Sequence, residues 1–125
     1  MSTSHTLVPI YTTKGDVGAL LSYPYLYNPV GEWIGWVTPD SQVYSVHGQY
    51  VGWLSGDPRI LRKPSDSFDM PRQKPPVAPP SIRVPARFPL PSMMRELTQG
   101  VIDVLEDMPD LLPCVDFGEL REDMD

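Results

Sequence analysis

At 125 residues, with 41% hydrophobic residues and three tryptophans, the chain is long enough for one small folded core. Its 16 prolines, against an average usage of roughly 5%, exclude a chain that is packed throughout. A net charge of −6 argues against nucleic-acid binding, a single cysteine (Cys114) excludes an intrachain disulfide, and no run approaches the ~20 apolar residues of a membrane span.

Residues 1–70 read as the folded unit, because all three Trp and all six Tyr lie between Tyr11 and Trp53. Within it, "GEWIGWV" (31–37) and "GQYVGWL" (48–54) repeat one order of glycine, aromatic, aliphatic, glycine and tryptophan at a spacing of 17 residues. The register pairs Tyr27 with Tyr44, Gly31 with Gly48, Gly35 with Gly52 and Trp36 with Trp53. Extended both ways it gives four copies, at about 9–21, 25–37, 42–54 and 59–70; Tyr11 to Gly15 repeats the start of the pattern, and Gly18 falls one residue early.

Each copy predicts a β-hairpin. Val30-Gly31 and His47-Gly48 are expected to be two-residue turns whose glycines take positive φ, and "TPDS" (38–41) and "SGDP" (55–58) connect one hairpin to the next. Strict alternation puts Tyr25, Tyr27, Ile34 and Trp36 on one face and Leu26, Trp33 and Val37 on the other. Both faces are then apolar, so something must cover each of them. Gly35 and Gly52, in mid-strand, predict a bend or the close approach of another segment.

The hairpins "YNPVGEWIGWV" and "YSVHGQYVGWL", with the proline run "PRQKPPVAPPSIRVPARFPLP" after them, resemble the bacterial four-fold β-flower proteins. The resemblance covers about residues 9–91 and implies a mainly β fold: a radial, meandering array of about four short antiparallel hairpins. That family is defined by its fold and has no established activity, so no catalytic residue is carried over. Its hairpins resemble the barrel of Tubby-like proteins in shape alone, and those bind membrane phosphoinositides.

Residues 71–91 are too rich in proline for a helix or an interior strand and predict an extended, polyproline-like arm. The arm is expected to lie across the face holding Trp36 and Trp53, since its fixed φ leaves little entropy to lose on docking. Residues 92–108 predict an amphipathic helix, capped by Ser92 and striped by Met94, Leu97, Val101, Leu105 and Met108, with Gly100 weakening it. Residues 109–125 read as an acidic tail without a core of its own. Charge is segregated: residues 59–95 carry eight Lys or Arg and two acids, whereas residues 96–125 carry ten acids and Arg121 alone.

Candidate chemistry is sparse. His47 sits at a turn and His5 near the terminus, neither with a second ligand at metal spacing; Cys114 lacks a neighbouring His, and Asp40 and Asp57 read as turn residues. No catalytic residue, cofactor or metal is therefore expected. The turn and strand glycines Gly15, Gly31, Gly35, Gly48 and Gly52 are the structural candidates. Tyr27, Trp36, Tyr44 and Trp53 form the candidate binding face.

The expected function is a non-enzymatic, cytoplasmic interaction or assembly module. Its partner would be a protein or a second copy, met through the aromatic face, the 92–108 helix or the acidic tail. The alternative is a lipid-, phosphoinositide- or small-ligand-binding barrel that meets an anionic surface through Arg59, Arg62, Lys63, Arg72 and Lys74.

Overall fold

The computed structural model describes residues 7–63, 71–91 and 93–114. Among these residues eight short strands form one antiparallel sheet, each paired to the next in chain order and curled into a half-barrel. They are β1 (Val8–Tyr11), β2 (Val17–Ser22), β3 (Tyr25–Tyr27), β4 (Trp33–Val37), β5 (Gln42–Ser45), β6 (Tyr50–Leu54), β7 (Ile60–Arg62) and β8 (Ile102–Asp103). Taken in pairs they make four hairpins, and the fold is mainly antiparallel β.

In hairpins 1, 2 and 3 the turns are longer than two residues, because a polar side chain organises each of them. Asn28 Oδ1 accepts from Val30 N–H and Glu32 N–H, both at 3.0 Å, and Gly31 N–H closes on Asn28 O at 2.9 Å. Ser45 plays the same part in hairpin 3 and Thr12 in hairpin 1. Gly15, Gly31 and Gly48 end these turns at φ of 94°, 91° and 83°, the left-handed region that glycine enters without cost.

A β-bulge follows each turn. Tyr27 faces Trp33, but Leu26 faces Gly35, so Ile34 is an extra residue in β4; Val51 and Gly18 are the extra residues in hairpins 3 and 1. The bulge corrects the alternation expected from the sequence, since it moves Trp33 to the face of Tyr27 and Trp36 and turns Ile34 to the opposite one. It also explains the first copy. Tyr11 faces Val17 and Ile10 faces Ala19, so Ala19 stands where Gly35 and Gly52 stand, and the residue lost from the repeat lies in the Ser22–Pro24 connection.

Each face of the sheet is a core. The aliphatic face gathers Ile10, Leu26, Ile34, Val43, Val51 and Ile60; the aromatic face gathers Leu20, Tyr27, Trp33, Trp36 and Tyr44. The carbonyls of Pro24 and Ser41 accept from Val37 and Leu54 inside hairpins 2 and 3, but the corresponding carbonyl of Pro58 accepts from Tyr11 N–H at 3.1 Å. Hairpin 4 thereby reaches round to hairpin 1.

The segment after the arm differs from the expected helix over 92–108. Helix α1 is confined to Val104–Asp107, followed by a 3-10 turn at Pro109–Leu111, and residues 93–101 are not helical. Two causes are visible. Gly100 adopts φ of 85° inside a turn closed by Val101 N–H on Thr98 O, and the open edge of β7 recruits Ile102 and Asp103 as β8. Pairing satisfies the backbone of both strands, which a helix would have left open at β7.

The division at residue 71 is corrected too. β8 completes hairpin 4, and Val104 and Leu112 enter the aliphatic core at 0% and 5% exposure, so the start of the expected tail is packed. The proline arm lies within the long connection of hairpin 4 rather than behind a finished domain. The expected cap Ser92, the outgoing half of the fourth copy (Ser65, Phe68, Met70), His5 and residues 115–125 lie outside the described residues.

Candidate functional site

Two surfaces are built around the aromatic face. The first is the arm. Gln73 N–H donates to Gly48 O and Ile82 N–H to Gly31 O, each at 2.9 Å, and Pro91 lies over Gly15 with its Cγ 3.7 Å from the position of a Cβ there. The arm thus visits hairpins 3, 2 and 1 in turn, at residues 73, 82 and 91. These are evenly spaced by nine, and Pro76/Pro85 and Pro80/Pro89 repeat at the same interval. That period was present in the sequence and is the signal that finds the docking points. Proline at 91 removes the donor, and the third contact carries no backbone bond to the turn.

The turn glycines serve the arm as well as the turn. A Cβ on Gly31 would lie 2.2 Å from Ile82 O, and one on Gly48 would lie 2.1 Å from Gln73 O. Between these points Ile82, Val84 and Phe88 pack on the aromatic cluster, and Tyr11 Oη donates to Pro89 O at 2.6 Å. Arg72, Lys74, Arg83 and Arg87 are exposed, as are Val77 and Leu90 at 89% and 92%. The arm seals with one edge and presents the other.

Of the expected binding face, Tyr27, Trp36 and Tyr44 are buried, at 3%, 9% and 3% exposure. Trp36 stacks on Tyr44 with ring centroids 5.3 Å apart, and Tyr44 meets the edge of Tyr50 at 5.7 Å. Burial, together with the neighbouring Tyr44, pushes the Tyr50 hydroxyl above its ordinary pKa, and burial with Tyr25 does the same to Tyr27. These three residues are core. The candidate binding face is closed at these three residues, because the chain's own arm lies over it.

Trp53 behaves differently. It is half-buried and lines the second surface, a cleft of about 600 Å³ between the Ser55–Arg59 connection and residues 93–101. Leu61, Leu97 and Val101 form apolar walls, with Ser55 and Thr98 as hydroxyls.

Arg59, also a lining residue, is 2% exposed, which removes it from the cations available to an anionic surface. Its Nη2 donates to Asp57 Oδ2 at 2.6 Å and to Arg95 O at 2.7 Å, and its Nη1 to Thr13 Oγ1 at 3.1 Å. Thr13 in turn donates to Asp103 Oδ2 from its backbone N–H at 2.7 Å and from its hydroxyl at 2.6 Å. This chain of bonds clasps hairpin 4 to hairpin 1. Arg62 likewise donates inward, to the carbonyls of Tyr50 and Val51.

Partial burial works to raise the Asp57 carboxyl, but hydrogen bonds from Arg59 and Ser55 and the Arg59 charge carry it below its ordinary pKa. Asp40 accepts from Thr38 inside its own turn, as Asp57 does from Ser55, so this repeat-matched pair is structural. His47 and Cys114 are exposed, and among the described residues no three His, Cys, Asp or Glu are grouped to hold a metal ion. No helix among them is long and apolar enough to cross a membrane.

Residues 8–95 match the family model described as "4-fold beta flower protein". No curated protein and no solved structure matches the chain.

Proposed function

The chain belongs to the 4-fold β-flower family, and on that scaffold we propose that it works as a non-enzymatic interaction or assembly module. The observation that carries this reading is the two-edged arm. Ile82, Val84 and Phe88 are spent on sealing the aromatic core, while Arg72, Lys74, Arg83 and Arg87 stand outward on a stretch, 71–95, that contains no acidic residue. Backbone bonds at Gly48 and Gly31 fix the arm's main chain in place, so less backbone entropy is lost when a partner binds its outer edge. The complementary partner is an acidic protein surface.

The test is quantitative co-purification of the full chain from its source cell. It compares the native sequence with a variant in which Arg72, Lys74, Arg83 and Arg87 are serine. Selective loss of a partner, with melting temperature unchanged, supports the module. Partners indifferent to those four charges remove the reading. An anionic lipid surface is the second reading, favoured by the exposed Val77 and Leu90 on the same arm as the cations. Salt-sensitive pelleting with anionic vesicles separates it from the first.

A further inference from the structure

The cleft beside Trp53 occupies a place where the aromatic order of the repeat fails. Trp36 and Trp53 hold equivalent positions in β4 and β6. Trp36 is flanked across the sheet by Tyr25 and Tyr44, so its indole has an aromatic neighbour on each side. Trp53 is flanked instead by Gln42 and Leu61. Leu61 stands where hairpins 1, 2 and 3 carry Tyr11, Tyr27 and Tyr44. The ring that stacks on Trp36 at an interplanar angle of 16° therefore has no counterpart on Trp53, and the cleft opens there.

We propose that this cleft is a binding site for a neutral, planar aromatic small molecule of phenol or indole size, stacked on Trp53 in the place of the missing tyrosine. About 600 Å³ lies within the range of roughly 300–1,000 Å³ usual for small-ligand pockets. Planarity follows from the indole, whose quadrupole favours an offset-stacked ring over an aliphatic group of equal size. Neutrality follows from the lining. Arg59 is already neutralised by Asp57, and Arg95 and Glu96 bring one charge of each sign, so the cleft offers no net charge to an anion or a cation. Thr98 supplies a hydroxyl to the polar edge of such a ring. The inference stands apart from the arm's outer edge, so either can fail without the other.

The experiment follows the indole N–H resonances of the full chain by NMR during titration with p-cresol, the tyrosine side chain as a free molecule. The control is 4-methylcyclohexanol, of similar size but puckered. The Trp53 resonance should shift saturably with p-cresol while those of Trp33 and Trp36 stay in place, and the control should bind about ten-fold more weakly.

Leu61→Tyr restores the repeat and should fill the cleft from within, abolishing the shift while the remaining spectrum stays folded. Equal response to both probes, no saturation, or an undiminished response in Leu61→Tyr overturns the proposal. Trp53→Leu provides a second variant, since Leu20 holds that position in hairpin 1. Saturation transfer to p-cresol should vanish in it, and persistence of that signal is equally fatal.

Discussion

The carbonyl oxygen of Tyr44 stands 2.3 Å from the point where a Cβ on Gly35 would lie, and Leu61 O stands 1.9 Å from the same point on Gly52. The two contacts are one relationship repeated: each mid-strand glycine lets the backbone of the following hairpin close against it. Real Cβ atoms do not approach a main-chain oxygen so nearly, and a backbone in a sheet cannot step aside as a side chain can. Gly35→Ala and Gly52→Ala should therefore each cost more than about 2 kcal/mol, well beyond an ordinary surface change. Gly56→Ala, with nothing within 4 Å of its Cβ, is the control and should stay within about 0.5 kcal/mol. Chemical denaturation of the three variants reads the difference.

The arm should be releasable without unfolding the sheet. Ile82 is half-buried and packs on the aromatic cluster, so Ile82→Asp trades an apolar contact for a carboxylate that must face water. The expected outcome is a red shift of tryptophan emission, as Trp33 and Trp36 gain exposure, with a loss of about 1–2 kcal/mol. Gly31→Ala should act at the same point from the other side, because its φ of 91° and the Ile82 carbonyl both oppose a side chain. Faster hydrogen exchange at the Ile82 amide in both variants would show that they share a cause. Unchanged emission in Ile82→Asp would mean that the arm does not protect the indoles.

Much of this was legible in the sequence, and the failures have definite physical causes. The 17-residue register located hairpins 2 and 3, the positive-φ positions and the glycines against which backbone closes. It could not show the bulges at Ile34 and Val51, because one extra residue leaves the composition of a strand unchanged while exchanging its faces. Strict alternation puts Trp33 on the wrong face for that reason alone.

The spacing of Leu97, Val101 and Leu105 predicts a helix over 92–108, and only Val104–Asp107 forms one. Local periodicity carries no information about a distant open strand edge, and β7 outcompeted it. Trp53 stands apart at the cleft, whereas Tyr27, Trp36 and Tyr44 share one covered aromatic face. Its cover, the nine-residue beat of the arm, is a second repeat that only becomes meaningful beside the first.

Because β8 and Val104 lie beyond the arm, removing everything after Met70 should do more than uncover the indoles. It would strip β7 of its partner and take Val104 and Leu112 from the aliphatic core. Such a truncation is expected to lose cooperative unfolding altogether, whereas Ile82→Asp keeps it. Val104→Ala in the full chain isolates the same anchor: at 0% exposure, loss of two methyl groups should cost about 1–3 kcal/mol. Thermal melts that remain cooperative for the truncated chain would show that hairpins 1–3 fold alone.

The clasp between hairpins 4 and 1 makes a prediction about pH. Hydrogen bonds from Arg59 and Ser55 outweigh the partial burial of Asp57 and hold its carboxyl below the ordinary value of 3.8. A carboxylate whose pKa is lowered by folding stabilises the fold in its ionised form. That contribution is complete above the unfolded pKa and is lost as pH falls through the lower, folded one. Melting temperature should accordingly not vary with the titration of Asp57 near neutral pH, where its stabilisation is complete, and should decline below about pH 4, in the window beneath its ordinary pKa. Asp57→Asn should be less stable at neutral pH, since Arg59, 2% exposed, would lose the charge that compensates its own burial. The same variant should lose less than the native chain on acidification, so the two melting curves converge as pH falls. Parallel acid profiles for the two proteins would show that the pair contributes no proton-linked stability, and that Arg59 is held by Thr13 and the Arg95 carbonyl alone.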